Sequence, residues 1–275
     1  MTLSSSSTRP RLFVDAPLLK GANVDLTTNQ AHYLRGVLRM AEGDGIRVFN
    51  GKDGNWLADI SDLGKKKGIV TITEQTHVQR DEPDIWLAFA PIKNARLDVL
   101  VEKATELGVG TLIPILTDRT QSRRVNTDRI RAQVIEAAEQ CERMTVPEVR
   151  APLTFGQLLD TWPADRTLWF GDETGGGDPA LSAFTTATPT QRHGIFIGPE
   201  GGFSPAEVDG LQSSSFSKGV GLGPQGSASA RVFCGRRLPS LSPLPFCRRP
   251  SAMEPFILSA DRRDYHLTRR PPARS

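Results

Sequence analysis

The chain has 275 residues, 38% of them hydrophobic, enough for one large packed domain or two small ones. No apolar run approaches the about eighteen residues of a membrane helix, and Met1–Arg9 is Ser/Thr-rich with no apolar h-region, so neither a membrane span nor a secretory signal is read here. The three cysteines (Cys141, Cys234, Cys247) lack metal-ligand spacing and are too few for a disulfide framework, which makes a reducing, cytoplasmic setting the default; the net charge of +3 supports no global argument for nucleic acid, because the C-terminal segment supplies it.

Residues 1–10 are expected to be a disordered lead. Residues 11–79 read as short strands around one helix. Arg11–Asp15, Ala22–Leu26, Ile46–Phe49, Trp56–Ile60 and Ile69–Thr73 are short apolar or alternating runs separated by Gly, Asp and Lys turns. Between the second and third runs, Asn29–Met40 places Ala31, Leu34, Val37 and Leu38 at helical spacing, and Gly43-Asp-Gly45 stops it. This is the pattern of a small β-barrel-like module. Arg80–Pro83 reads as a linker.

Beyond it the rhythm changes to alternating strands and helices. Ile85–Ile92 is a continuous apolar run, as a strand buried on both faces would be. Ala95–Leu107 puts Leu97, Leu100, Val101, Ala104 and Leu107 on one face, with Gly108 at the C-cap position. Thr111–Leu116 is the next strand. Thr127–Met144 is a longer helix with Ile130, Val134, Ala137, Ala138 and Cys141 inward, and Thr167–Phe170 and Gly194–Ile197 are two more strands. The alternation predicts an α/β fold with a parallel sheet covered on both faces.

The sharpest local signal is Ile197-Gly-Pro-Glu-Gly-Gly-Phe-Ser204. It follows a strand; Ser204 suits an N-cap, Pro205 the first helical position, and Glu207 completes a capping box. A strand thus runs through a glycine-rich loop into a helix. This reads equally as a turn that a ligand approaches closely or as an ordinary βα connection. Gly221-Leu-Gly-Pro-Gln-Gly226 matches G-x-G-x-x-G in form only, since no helix follows and no acid opens a later strand at the right distance. His32, Arg35 and Arg39 fall along one helix face, and Arg11 precedes the first strand; such a cluster can hold phosphates, although a solvated face is the default for three cations. Asp118–Arg124 is a basic loop at a strand end, and Glu136, Glu139, Gln140 and Arg143 form a polar stripe on the next helix. The four histidines are scattered and nothing resembles a metal site.

These segments together resemble the RsmE family of the SPOUT superfamily. The stretches that carry the resemblance are Arg11–Val14, His32–Arg39, Lys103–Val109, Glu136–Arg143 with Val146-Pro147, Gly198–Ser204 and Val220–Pro224, in family order and spacing across Arg11–Pro224. The resemblance implies a PUA-like RNA-binding barrel over 11–79 and a trefoil-knotted methyltransferase domain over 84–224, usually dimeric. It implies transfer of a methyl group from S-adenosylmethionine to N3 of a uridine in 16S rRNA of the small ribosomal subunit. By the same carry-over Gly198, Pro199, Glu200, Gly201, Gly202, Leu222 and Gly223 line the cofactor pocket, and Arg11, His32, Arg35 and Arg39 face RNA. Arg119, Glu139, Gln140 and Arg143 stand near the methyl-transfer centre, with an arginine stabilising the uridine anion and Glu139 or solvent taking the proton.

After Pro224 the sequence departs from the family. Where an Arg-(Ile/Val)-Leu-Arg-x-Glu-Thr-Ala segment and a helix are expected, the chain reads Gln225-Gly-Ser-Ala-Ser-Ala-Arg-Val-Phe-Cys234. A reading frame shifted by one nucleotide within the Gln225 codon can spell Arg-Val-Leu-Arg, which points to a frameshift near Pro224–Gln225. From Pro224 onward ten arginines stand against three acids, a charge of +7; the remainder has 24 basic and 28 acidic residues, a net of −4. Residues 225–275 are therefore expected to be an aberrant, disordered tail that leaves the knot incomplete. The alternative function is a non-catalytic RNA-binding relative with a decayed methyltransferase domain.

Overall fold

The computed structural model describes residues 9–121, 124–172, 177–185 and 191–221. The expected disordered lead lies outside the described residues except for Arg9 and Pro10. The expected tail, the segment that would close a knot, Leu222 and Gly223 all lie outside them.

The first sheet comprises β1 (Arg11–Phe13), β2 (Asn23–Leu26), β3 (Gly45–Phe49), β4 (Asn55–Leu63) and β5 (Gly68–His77), in the order β1-β3-β4-β5-β2. All pairings are antiparallel except β1 with β3. Three register shifts along β4–β5 bend that hairpin. Alternate residues, among them Ile46 and Val48, Ala58 and Ile60, and Val70 and Ile72, fill one buried core.

The helix between β2 and β3 is shorter than the spacing predicts. Helix α1 (Thr28–His32) opens on a capping box at Thr27 and Gln30 and passes directly into a π-turn over Tyr33–Val37, closed by the Leu38 amide on the Tyr33 carbonyl at 3.0 Å. The wider turn advances each residue by less than the α-helical angle. Ala31 and Leu34 stay buried while Val37, expected inward, is 61% exposed. Arg39 then reverses the chain in the left-handed region, at φ 57°.

The second sheet is wholly parallel. It contains β6 (Ile85–Phe89), β7 (Thr111–Leu116), β8 (Glu148–Val149), β9 (Leu153–Thr154), β10 (Arg166–Gly171), β11 (Asp178–Pro179), β12 (Arg192–Ile197) and β13 (Ser217–Gly221). The order is β11-β13-β10-β12-β6-β7-β8, with β9 also on β7. Helices α2 (Asn94–Glu106) and α3 (Thr127–Gln140) cover one face, meeting Leu87, Phe89 and Leu112. Helices α4 (Phe155–Thr161) and α6 (Pro205–Ser213) cover the other, meeting Ala88, Ile113, Ile115 and Phe196. A short α5 (Ala180–Thr185) packs Ala183 near Trp169 and Val220 at the β13 edge. Adjacent residues of β6 and β7 thus enter different cores, which is why those strands read as unbroken apolar runs.

Two helix ends depart from expectation. Helix α3 stops at Gln140, because Glu142 adopts φ 62°. Leu107 is 57% exposed because it is the C-cap of α2, past the last packed turn; Gly108 follows at φ 89°, as its position required. Helix α4 and strands β8, β9 and β13 were not anticipated.

The two sheets are joined through Arg11. Its side chain leaves β1, stacks over the Phe49 ring at 3.6 Å and donates to Asn55 Oδ1, to the Ala138 carbonyl at 2.6 Å and to the Arg143 carbonyl at 2.6 Å. Ala138 lies in the last turn of α3, whose carbonyls have no partner within the helix. The guanidinium therefore caps a helix of the other domain with a favourably signed charge. Beside it the Phe13 amide donates to Glu139 Oε1 at 2.8 Å, and Arg47 pairs with Glu142 at 2.9 Å. Arg11→Ala is expected to lower unfolding free energy by about 2–4 kcal/mol in urea titration, since two buried carbonyls lose their donor. Arg11→Lys should recover only part, because one ammonium cannot reproduce the fork.

Candidate functional site

The loop from Gly198 to Ser204 leaves β12 at the carboxyl edge of the second sheet. Ser204 caps α6 as its sequence predicts: its hydroxyl accepts from the Glu207 amide, and Glu207 Oε2 accepts from the Ser204 amide at 2.8 Å. Glu207 does more than close a capping box. It is 3% exposed, and its second oxygen accepts from the Asp118 amide at 2.8 Å. Ser204 Oγ donates to Asp118 Oδ2 at 2.6 Å, and Arg119 Nη1 donates to the Gly201 carbonyl at 2.8 Å. The loops following β7 and β12 are thereby one hydrogen-bonded unit.

Glycine is required at Gly198, where a Cβ would lie 2.8 Å from the Phe203 ring. Phe203 folds back against Phe196 and Phe170, with ring centroids at 4.9 and 6.4 Å. Gly202 sits at φ 72°. Pro199 and Gly202 are buried while Glu200 and Gly201 are exposed at the tip of the loop. A cavity of about 260 Å³ opens beside Phe170 and Asp172 at the end of β10, with Gly177, Gln212, Ser217 and Gly219. A second, of about 140 Å³, lies among the loops after β6, β7 and β12, lined by Pro91, Ile92, Lys93, Arg119, Gln121, Pro199 and Glu200. The second lies at the carboxyl edge, where ligands of open α/β sheets bind. Asp172 follows β10 directly, and an acid immediately beyond a strand is the one local signal in sequence for its place beside the cavity.

The four residues expected at one catalytic centre are divided. Arg119, on the loop after β7, is bonded to the glycine loop. Arg143 lies away from it: its buried guanidinium donates to the Thr105 and Val109 carbonyls at 3.0 and 2.7 Å and to Thr145 Oγ1, with Glu82 at 3.4 Å. Glu139 is half-buried at the joint, holding the Phe13 amide, and Gln140 is exposed at the end of α3. Arg11, expected to face RNA, is 7% exposed, with its guanidinium engaged by Asn55 and by the Ala138 and Arg143 carbonyls. Burial and the neighbouring Arg47 pull its pKa down to about 10, so it stays charged at neutral pH. His32, Arg35 and Arg39 are exposed. No cluster of metal-ligating side chains occurs among the described residues, and no helix among them is long and apolar enough to cross a membrane.

The profile of an RNA methyltransferase domain matches residues 80–225, and that of an RNA methyltransferase PUA domain matches residues 26–73. "Ribosomal RNA small subunit methyltransferase E" of Rickettsia conorii is 32% identical over 214 residues, 78% of this chain and 87% of the relative. The Synechocystis protein of the same name is 34% identical over 220 residues, 76% and 72% of the two chains. The chain belongs to the RsmE family. Solved structures agree. A Legionella pneumophila methyltransferase with bound SAM superposes at a TM-score of 0.72 with 26% identity, covering 82% of this chain and 94% of that one. The Neisseria gonorrhoeae methyltransferase E bound to S-adenosylmethionine gives 0.70 and 25%, covering 77% and 88%. The fold is accordingly a PUA-like domain followed by a SPOUT parallel-sheet domain.

Two outcomes follow for this RsmE chain. Glu207→Ala should release both loops at once, costing about 1–3 kcal/mol and speeding hydrogen exchange at the Asp118 and Ser204 amides together. Burial, opposed by the Phe13 amide and Arg11, raises the Glu139 pKa above its ordinary value. A raised folded-state pKa favours folding below the unfolded pKa of about 4.3, and that contribution is lost as pH rises through the folded value. In urea titrations the stability of Glu139→Gln relative to the parent should therefore improve as pH rises from 4 to 7.

Proposed function

We propose that this chain methylates N3 of a uridine in 16S rRNA of the small ribosomal subunit, using S-adenosylmethionine, as a cytoplasmic homodimer. The observation that carries the reading is the glycine loop locked onto the β7 loop at the sheet's carboxyl edge, in a chain whose relatives are named ribosomal RNA small subunit methyltransferases and of which two solved relatives hold S-adenosylmethionine. The residues fit such a cofactor. The exposed tip of the glycine loop at Glu200 and Gly201 leaves room for its polar edges, and the cavity at Phe170 offers an aromatic wall lined also by Asp172. Gly198–Gly202 are the contacts we assign to it, with Leu222 and Gly223 beyond the described residues.

The bound cofactor supplies an electrophilic methyl group on a sulfonium. The chain's own task is to prepare the uridine. N3 carries a proton and becomes nucleophilic only when that proton leaves; the resulting anion is spread over O2 and O4. Arg119, exposed beside the smaller cavity with Lys93, is the cation we assign to that charge. With Glu139 held in the joint, solvent is the simpler proton acceptor. Gln140 remains a candidate for orienting the base. A base must be unpaired before N3 can be reached.

A second reading, RNA binding without methyl transfer, is favoured by one observation: the methyltransferase match ends at residue 225, where the family pattern is lost. Calorimetric titration with S-adenosylmethionine, followed by mass spectrometry of nucleosides from small subunits lacking the modification, separates the two. Cofactor binding and 3-methyluridine are expected; RNA binding without either would establish the second reading. Arg119→Ala should lower kcat/KM about 100-fold.

A further inference from the structure

We propose that the α1–π-turn segment and the β4–β5 turn form one docking surface for unpaired RNA, in which the Tyr33 ring stacks on an exposed base. The inference deepens the reading of the chain as an enzyme acting on rRNA and rests on it. It adds Tyr33 and Lys65–Lys67 to the expected His32, Arg35 and Arg39, and removes Arg11.

Three observations carry it. First, the π-turn shifts side chains off the helical register. Leu34 is fully buried and anchors the turn, while the adjacent Tyr33 is 40% exposed, beside the exposed His32 and the exposed cation Arg35. Arg39 closes the segment in the left-handed region, a conformation that costs a non-glycine residue about 1–2 kcal/mol and that keeps it, too, on the surface.

Second, the structure brings a remote lysine run to this segment. Thr28 Oγ1 donates to the Lys66 carbonyl at 3.1 Å and Arg35 Nη1 to the Leu63 carbonyl at 3.2 Å. These bonds hold the turn between β4 and β5 against the start of α1 and the π-turn. Lys65, Lys66 and Lys67 are all exposed on that turn.

Third, the charge is local and uncompensated in sequence. No acid occurs between Asp25 and Glu42 or between Asp62 and Glu74, although the chain before Pro224 is net acidic. A polyanion is the partner that such a cluster suits.

The aromatic ring decides which polyanion. A-form duplex offers phosphates but keeps its base faces stacked, whereas loops and single strands present bases that an aromatic side chain can take up. Cations for the backbone combined with one exposed ring match the second kind of RNA.

Fluorescence anisotropy with the full chain tests this, using a labelled single-stranded oligouridine and a fully paired RNA duplex of equal length. Tyr33→Ala should weaken oligouridine binding about 5–30-fold and leave duplex binding unchanged, while Tyr33→Phe should bind as the parent does. Replacing Lys65, Lys66 and Lys67 by Ala should weaken both RNAs and reduce the slope of log affinity against log salt by about 2. Thermal melts confirm that each variant is folded, which exposed positions should allow. Equal loss on both RNAs in Tyr33→Ala, no loss on either, or an unchanged salt slope in the lysine variant would overturn the proposal. S-adenosylmethionine titration of the same samples keeps the outcomes apart: absent cofactor binding with intact Tyr33-dependent discrimination counts against the methyltransferase reading alone.

Discussion

The arrangement of this molecule depends on a guanidinium that serves a helix in another domain. The Cys141 amide caps only the Ala137 carbonyl at the end of α3, and Glu142 then turns the chain away at φ 62°. Arg11 supplies donors from the first strand of the PUA-like sheet, held flat by Phe49. Arg143 continues the same network inward to the end of α2 and the start of β7, through Thr105 and Val109. Two arginines expected at RNA and uridine are thus buried against backbone carbonyls. Arg offers five donors in a fixed fork and tolerates burial where carbonyls converge, so the residue that suits phosphate recognition also suits an internal joint.

The carboxyl edge of the parallel sheet is built on the opposite plan. There a buried carboxylate, Glu207, satisfies backbone amides of two loops, and the side chains around it face outward. A rigid loop that presents its peptide groups meets a ligand without first losing conformational freedom. The amino edge has another character. The Trp86 ring lies between the guanidinium groups of Arg150 and Arg166, at 4.0 and 3.9 Å, and Arg166 donates to the Asp84 and His193 carbonyls. Strong interactions at that edge are spent within the protein, which leaves the ligand-facing chemistry to the other.

Much of this was legible in the sequence because it is local. The alternation of apolar runs with amphipathic helices gave the α/β architecture, and Ser204, Pro205 and Glu207 announced the start of α6 without any tertiary knowledge. The run Gly198–Gly202 could be recognised as a tight loop because its conformational demands lie in its own backbone. Family resemblance added the cofactor and the substrate, since those depend on motifs in combination and no single spacing carries them.

What only the tertiary structure decided was where charged side chains end. A sequence states that Arg11, Arg143 and Glu139 are polar; whether each meets water, a ligand or a carbonyl of a distant strand depends on contacts more than thirty residues away, invisible to any local period. The π-turn is a subtler case: its i→i+5 bond changes the angular step, so the pattern that correctly buried Ala31 and Leu34 misplaced Val37 and concealed the exposure of Tyr33. Local hydrogen bonding and hydrophobic period, being short-range, fix elements and caps. Burial of charge is a long-range property, and it left Arg11 and Arg143 inside the protein and Arg35 and Arg39 on its surface.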